Sequence, residues 1–277
     1  MKKYDIGFIG CGNMGRAMLA GALDKGWTTP DKACVHTHSQ ASMEAVCEVY
    51  GVHAGASNRA LAEESAIIVL AVKPNVYKDV LLDIRDALGD GQTLIAIAPA
   101  YSIAAIETLV DNPQVAVARA MPNTPAQIGQ GMAGLCFSAN MREDARDRVE
   151  ALFASFGKVA LVREDVMAAV GSVSGSSPAF VYMAIEAMAE GAIKLGIPAK
   201  DAYTFAAQSV LGAAALVLET GTHPAALRDA VCSAGGTTIA GVASLERDGF
   251  KAALIDAMDA SAEKFRAMET QANDDLA

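Results

Sequence analysis

Positive charge is scarce in this sequence. It carries 22 Lys and Arg against 32 Asp and Glu, a formal net charge of −10 over 277 residues. Non-specific attachment to nucleic acid or to an anionic membrane needs basic patches, so neither partner is expected. An anionic ligand would have to be held by local donors, such as helix N-termini, rather than by the overall field. Aromatic residues are only 5% of the chain although hydrophobic ones reach 52%. The core must therefore be built from Ala, Val, Leu, Ile and Met. The five cysteines (Cys11, Cys34, Cys47, Cys136, Cys232) are scattered and form no CxxC pair, and the four histidines (His36, His38, His53, His223) do not cluster. No metal site is expected, and the thiols read as reduced. Also missing are an HExxH helix, a phosphate-loop lysine motif and a nucleophile elbow, which removes metalloprotease, P-loop and serine-hydrolase chemistry. No long apolar segment precedes the first strand, and the least polar stretch, 204–218, contains Gln208 and Ser209 and is short for a bilayer span. A cytoplasmic location is the expectation.

What is present is an alternation of short apolar runs with amphipathic segments over the first half. Strands are predicted at 6–9, 33–36, 67–72, 94–98, 115–119, 134–137 and 159–162, and helices at 14–25, 42–50, 76–88, 103–109 and 143–155. That order is the signature of βαβ units and a parallel sheet. Runs such as Ile67-Ile68-Val69-Leu70 lack alternation, as strands covered on both faces do. After about residue 163 the strand signal stops, and Ala, Met and Leu recur at helical spacing. Helices are predicted from 166 into the region of 174, then at 178–195, 200–218, 224–232, 237–247 and 251–269, with a fraying polar tail after 270. The expected fold is α/β: a Rossmann-type doubly wound sheet at 1–163, followed by an all-helical domain at 164–277. Helix 204–218 is apolar nearly all round, and a second subunit is its natural cover, so a helical homodimer is expected.

Gly10-Cys11-Gly12-Asn13-Met14-Gly15 follows the first strand and opens a helix, the setting that a dinucleotide-binding GxGxxG requires. Gly10 permits the turn, Gly12 lets a pyrophosphate approach the backbone, and Gly15 allows close helix–strand packing. Proteins that bind NAD in this way carry an acidic residue after the second strand. Here that segment reads Val35-His36-Thr37-His38-Ser39-Gln40, without an acid before Glu44. A 2′-phosphate would meet no repelling carboxylate, which favours NADPH and leaves NADH possible. Ala71-Val72-Lys73-Pro74 lies at another strand end, where Lys73 reads as a solvated or cofactor-edge lysine rather than a catalytic cation. Met121-Pro122-Asn123-Thr124-Pro125 is a stiff loop whose Asn123 offers both a donor and an acceptor. In the helical half, Ser174-Gly175-Ser176-Ser177-Pro178 and Ser233-Ala234-Gly235-Gly236-Thr237-Thr238 each read as an interruption that opens a new helix, with free N–H groups and hydroxyls suited to a carboxylate.

In this order and spacing, residues 8–15, 71–74, 121–125, 171–178 and 231–238 resemble the pyrroline-5-carboxylate reductases across nearly the whole chain. Two positions depart from the family pattern: Ala234 stands where Pro is usual and Phe180 where Tyr is usual. The resemblance implies reduction of (S)-1-pyrroline-5-carboxylate to L-proline by hydride transfer from NAD(P)H. It also implies a homodimer through the helical domain, in which one subunit's cofactor meets helices of its partner, and in many members a pentamer of dimers. Carried over by position, Gly10, Gly12, Asn13, Met14 and Gly15 cradle the cofactor. Asn58 with Thr37, His38 and Ser39 holds its adenosine-phosphate end, and Ala71, Val72, Lys73 and Asn123 lie near the nicotinamide. Ser176, Gly236, Thr237 and Thr238 receive the substrate, with Thr238 as the catalytic hydroxyl. A β-hydroxyacid dehydrogenase or related imine reductase of the same build is the first alternative. It would need a catalytic lysine, and Lys194 reads as a surface residue. A non-catalytic NADP-sensing protein is the second, and it would have no use for the substrate segments.

Overall fold

The computed structural model describes residues 2–274. From the N-terminus the elements are β1 (Tyr4–Ile9), α1 (Asn13–Asp24), β2 (Ala33–His36), α2 (Gln40–Tyr50), β3 (His53–Ala54), α3 (Asn58–Glu64) and β4 (Ser65–Leu70). They continue with α4 (Tyr77–Ile84), β5 (Thr93–Ala96), α5 (Ile103–Val110), β6 (Ala116–Met121), β7 (Gly131–Phe137), α6 (Glu143–Ala154) and β8 (Gly157–Leu161). The rest is helical: α7 (Met167–Val170), a π-turn Gly171–Ser176, α8 (Ser177–Lys194), α9 (Ala199–Thr220), α10 (Pro224–Ala230), α11 (Thr237–Arg247) and α12 (Phe250–Asp274). Two compact units result. One runs to Ser176 and takes up the chain again from Ser261, and the other is Ser177–Ala260.

In the first unit the eight strands lie in the order β3-β2-β1-β4-β5-β6-β7-β8. The first six strands are parallel, in the doubly wound order of a dinucleotide-binding sheet. β7 runs antiparallel to β6, and β8 is parallel to β7. Side chains alternate along each strand, and both faces are covered. Ile68 and Leu70 of β4 pack with α3, α4 and α5, while Ile67 and Val69 pack with α1, α2 and α6. This is the physical reason that β4 reads as a continuous apolar run. Two short elements escaped the sequence reading: β3, only two residues long, and α3, seven residues and too short for a periodic signal.

Three expectations for the helical half need correction. Residues 174–178 do not open a new helix. The chain is helical without a break from Met167 to Lys194 and widens into the π-turn at Gly171–Ser176. Pro178 explains the widening, because it has no N–H to give the Ser174 carbonyl four residues back. The polar tail does not fray at 270, since α12 continues to Asp274, and the last residues of the tail lie outside those described. Length does not separate α9 from a membrane span either. It runs 22 residues, and both it and Glu164–Lys194 are long and apolar enough to cross a bilayer by length and composition.

Inside Ser177–Ala260 the only buried residues are Ala189, Ala202 and Ala206. Phe205, Leu211 and Leu218 of α9 are 64%, 59% and 65% exposed, and Met183 of α8 is 69% exposed. A pair of helices cannot leave so much apolar surface in water and stay folded, so this unit requires a covering partner.

Candidate functional site

The site is built at the carboxyl ends of the parallel strands, where the order reverses between β1 and β4. Gly10 takes φ +77, which a side chain resists, and a Cβ there would lie 2.7 Å from Val72 Cγ1 and 2.8 Å from the Ala71 carbonyl oxygen. The loops after β1 and β4 are thus in backbone contact, and Ala71 N donates to Ile9 O at 2.9 Å. A Cβ on Gly12 would meet nothing within 4 Å, so open space lies in front of the start of α1. No side chain caps that helix and no acid stands in its first turn, which leaves its N–H groups free for an anion. A Cβ on Gly15 would come to 3.3 Å of Ala71 Cβ, the close packing expected of the third glycine. Free donors, a clear approach and no carboxylate fit the pyrophosphate of a dinucleotide.

The other predicted cofactor residues lie along the same edge. After β2, Thr37 is buried and its Oγ1 donates to Ser39 O at 2.9 Å, while His38 is exposed. Ser39 is the N-cap of α2, its Oγ accepting from Ser42 N at 3.4 Å. Asn58 begins α3 and its Nδ2 donates to Asp83 Oδ2 at 3.2 Å. Lys73 is exposed, at the start of the turn Pro74–Val76. Asn123 is nearly buried with both ends of its amide engaged: Nδ2 donates to Ser174 O at 3.0 Å and Oδ1 accepts from Met132 N at 2.8 Å. It supplies the donor that Pro178 cannot, and so ties the loop after β6 to the π-turn. Ser176 ends that turn, with its Oγ 2.8 Å from Ser261 Oγ.

In the second unit, α11 starts at Thr237 with Gly236 as its N-cap and no side-chain cap bond. Gly235 takes φ +69, which a side chain resists, and a Cβ on Gly236 would lie 2.2 Å from Ser233 Oγ, so the turn calls for glycine at 235 and leaves little room at 236 unless the serine hydroxyl rotates away. Thr237 and Thr238 are exposed on this single chain. Lys194 is exposed in the last turn of α8.

Sequence reasoning missed three features. The loop after β5 lies between two loops it did single out, and Ile97-Ala98-Pro99 repeats the character of Val72-Lys73-Pro74. Buried Tyr77 holds that loop: its hydroxyl donates to Leu70 O at 2.6 Å and accepts from Ile97 N and Ala98 N at 3.1 Å each. Burial keeps the phenol neutral by raising its pKa above the usual range. Arg119, 1% exposed, donates to Glu164 at 2.9 Å, to Glu269 at 2.8 Å and to Pro99 O at 3.2 Å. An arginine in an otherwise apolar strand was the available signal.

Burial pushes the thiols of Cys11, Cys34 and Cys136 up to about 12. At pH 8 roughly one in ten thousand of each would be thiolate. Alkylation at pH 8 is therefore expected to spare these three in the native protein and to reach them in denaturant, as read by peptide mass spectrometry. Rapid native labelling of Cys11 would contradict the closed turn.

Two family models match this chain: "Pyrroline-5-carboxylate reductase dimerisation" over residues 164–268 and "NADP oxidoreductase coenzyme F420-dependent" over residues 5–100. The pyrroline-5-carboxylate reductase of Escherichia coli K12 is 42% identical over 259 residues, covering 94% of this chain and 96% of its own length. The chain belongs to the pyrroline-5-carboxylate reductase family. The solved reductase of Coxiella burnetii superposes with a TM-score of 0.88 at 32% identity, over 96% of this chain and 98% of that one. The Plasmodium falciparum enzyme, solved with NADP bound, also gives 0.88, at 29% identity, over 97% and 99%. Membership explains the exposed apolar helices, because the matched dimerisation region contains α8, α9, α10 and α11.

Proposed function

We infer that this member of the family reduces (S)-1-pyrroline-5-carboxylate to L-proline, the final step of proline biosynthesis, with NADPH as the preferred reductant and NADH as a weaker one. End-to-end kinship with a named reductase at 42% identity carries the reading, and the glycine turn with its uncapped helix start supports it. Bound NADPH supplies the hydride that adds to the imine carbon. The chain's own groups bind and aim. Gly10, Gly12, Asn13, Met14 and Gly15 receive the pyrophosphate on the N–H groups of α1. Thr37, His38, Ser39 and Asn58 hold the adenosine-phosphate end, and Ala71, Val72, Lys73 and Asn123 border the nicotinamide. Ser176, Gly236 and Thr237 hold the substrate carboxylate, and Thr238 hydrogen-bonds the ring nitrogen as it becomes an amine. A protonated imine needs no strong general acid, in keeping with a substrate end formed by Ser176, Gly236, Thr237 and Thr238.

We further propose that residues 1–163 serve the cofactor, that 164–277 serve substrate and dimerisation, that five dimers associate, and that the enzyme works in the cytoplasm. An absorbance assay at the reduced-nicotinamide band tests the activity: NADPH should be consumed with pyrroline-5-carboxylate. Turnover of 3-hydroxyisobutyrate with NADP and none of the imine would overturn the reading.

Cofactor preference has its own test at Ser39. Asp is as good an N-cap as Ser, so Ser39→Asp keeps α2 closed while adding a charge beside the expected 2′-phosphate. The KM for NADPH should rise at least about ten-fold and that for NADH much less, with Tm unchanged. Equal efficiency of the two cofactors in the wild type would remove the preference.

A further inference from the structure

Three residues of α12, spaced by four, tie it to the first unit: two meet the segment that carries Ser176, and the third meets β6. Ser261 Oγ lies 2.8 Å from Ser176 Oγ. Phe265 is buried against Gly171, where an added Cβ would come within 2.9 Å of its ring. Glu269 Oε1 accepts from Arg119 Nη1 at 2.8 Å. Residues at this spacing share one helix face, so one face of α12 braces the π-turn at its first residue and its last and is itself anchored to β6. Asn123 holds the same turn in the middle, through Ser174 O. Only the Ser261 contact reaches a hydroxyl assigned to the substrate.

We propose that Ser261 is a positioning residue for the reduction, donating its hydroxyl proton to Ser176 Oγ and so directing the Ser176 proton to the substrate carboxylate. This rests on the reading of Ser176 as a carboxylate donor. A serine hydroxyl has one proton and a free rotor. With Ser176 donating to Ser261, no proton would remain for an anion. With Ser261 donating, one lone pair of Ser176 is occupied, the rotor is fixed, and the second O–H becomes the better donor through polarisation.

Steady-state kinetics and melting on Ser176→Ala, Ser261→Ala, the double variant and Ser261→Thr test it. Ser261→Ala should raise KM for pyrroline-5-carboxylate roughly three- to ten-fold, with KM for NADPH and Tm unchanged, and Ser261→Thr should restore the wild-type value. In the Ser176→Ala background the second substitution should add nothing, because the two hydroxyls act as one unit. If Ser176→Ala raises KM and Ser261→Ala does not, this inference fails and the substrate reading of Ser176 stands. A silent Ser176→Ala removes both. Equal effects of Ser261→Ala in the two backgrounds, or a matching fall in Tm, would assign Ser261 to helix packing and overturn the proposal.

Discussion

Thr238→Ala is expected to lower kcat/KM by roughly ten- to several-hundred-fold, the worth of one hydrogen bond that tightens in the transition state. KM for NADPH and Tm should stay where they are. A hydroxyl at a helix start can instead serve as a cap, whose loss would cost about 1 kcal/mol of stability and leave turnover alone. The structure separates the two roles. The N-cap of α11 is Gly236, Thr238 is the second residue of the helix, and no side chain caps its start. A stability loss is therefore not expected from the hydroxyl. Thr238→Ser should keep most of the activity, and Thr238→Val should behave like Ala, because it preserves shape without the hydroxyl. Full activity in Thr238→Val would end the catalytic assignment.

Ala214→Glu should take the protein apart. Ala214 lies mid-way along α9 and is exposed on the single chain, so a monomer would accept a carboxylate there at almost no cost. In a dimer closed over α9 the same carboxylate is buried without a partner, a penalty of several kcal/mol. Light scattering should then report monomer or aggregate, and activity should fall with it. Ala214→Ser, small and uncharged, should remain dimeric. An unchanged dimer mass and Tm in Ala214→Glu would mean that this face is open in solution, contrary to the matched dimerisation region.

Some of this was legible because it is local. The demand for glycine at position 10 comes from its own backbone angle, and the sheet's burial on both faces is written in consecutive apolar residues such as 67–70. The order of turn motifs was enough to recognise the family. Local reading failed where partners are distant or elements are short. The sequence signal for a break at 174–178 was real, since Pro178 withdraws an N–H. That the chain answers with a π-turn rather than a new helix depends on Asn123 arriving from 51 residues away to satisfy Ser174 O.

By itself, then, the chain determined the alternating first half, the glycine turn that fits a dinucleotide, the acid-free end of β2 and the apolar helices that require a second subunit. Each depends on backbone angles or on the periodicity of neighbouring side chains. Only the tertiary structure decided that β7 turns antiparallel to β6, that Arg119 is neutralised by Glu269 from 150 residues further on, and that Ser261 meets Ser176 across 85 residues. Those pairings are chosen by which surfaces pack once the sheet has formed. Sequence spacing carries no trace of that choice, because the interactions act through space over a few ångström and are indifferent to the length of chain between the partners.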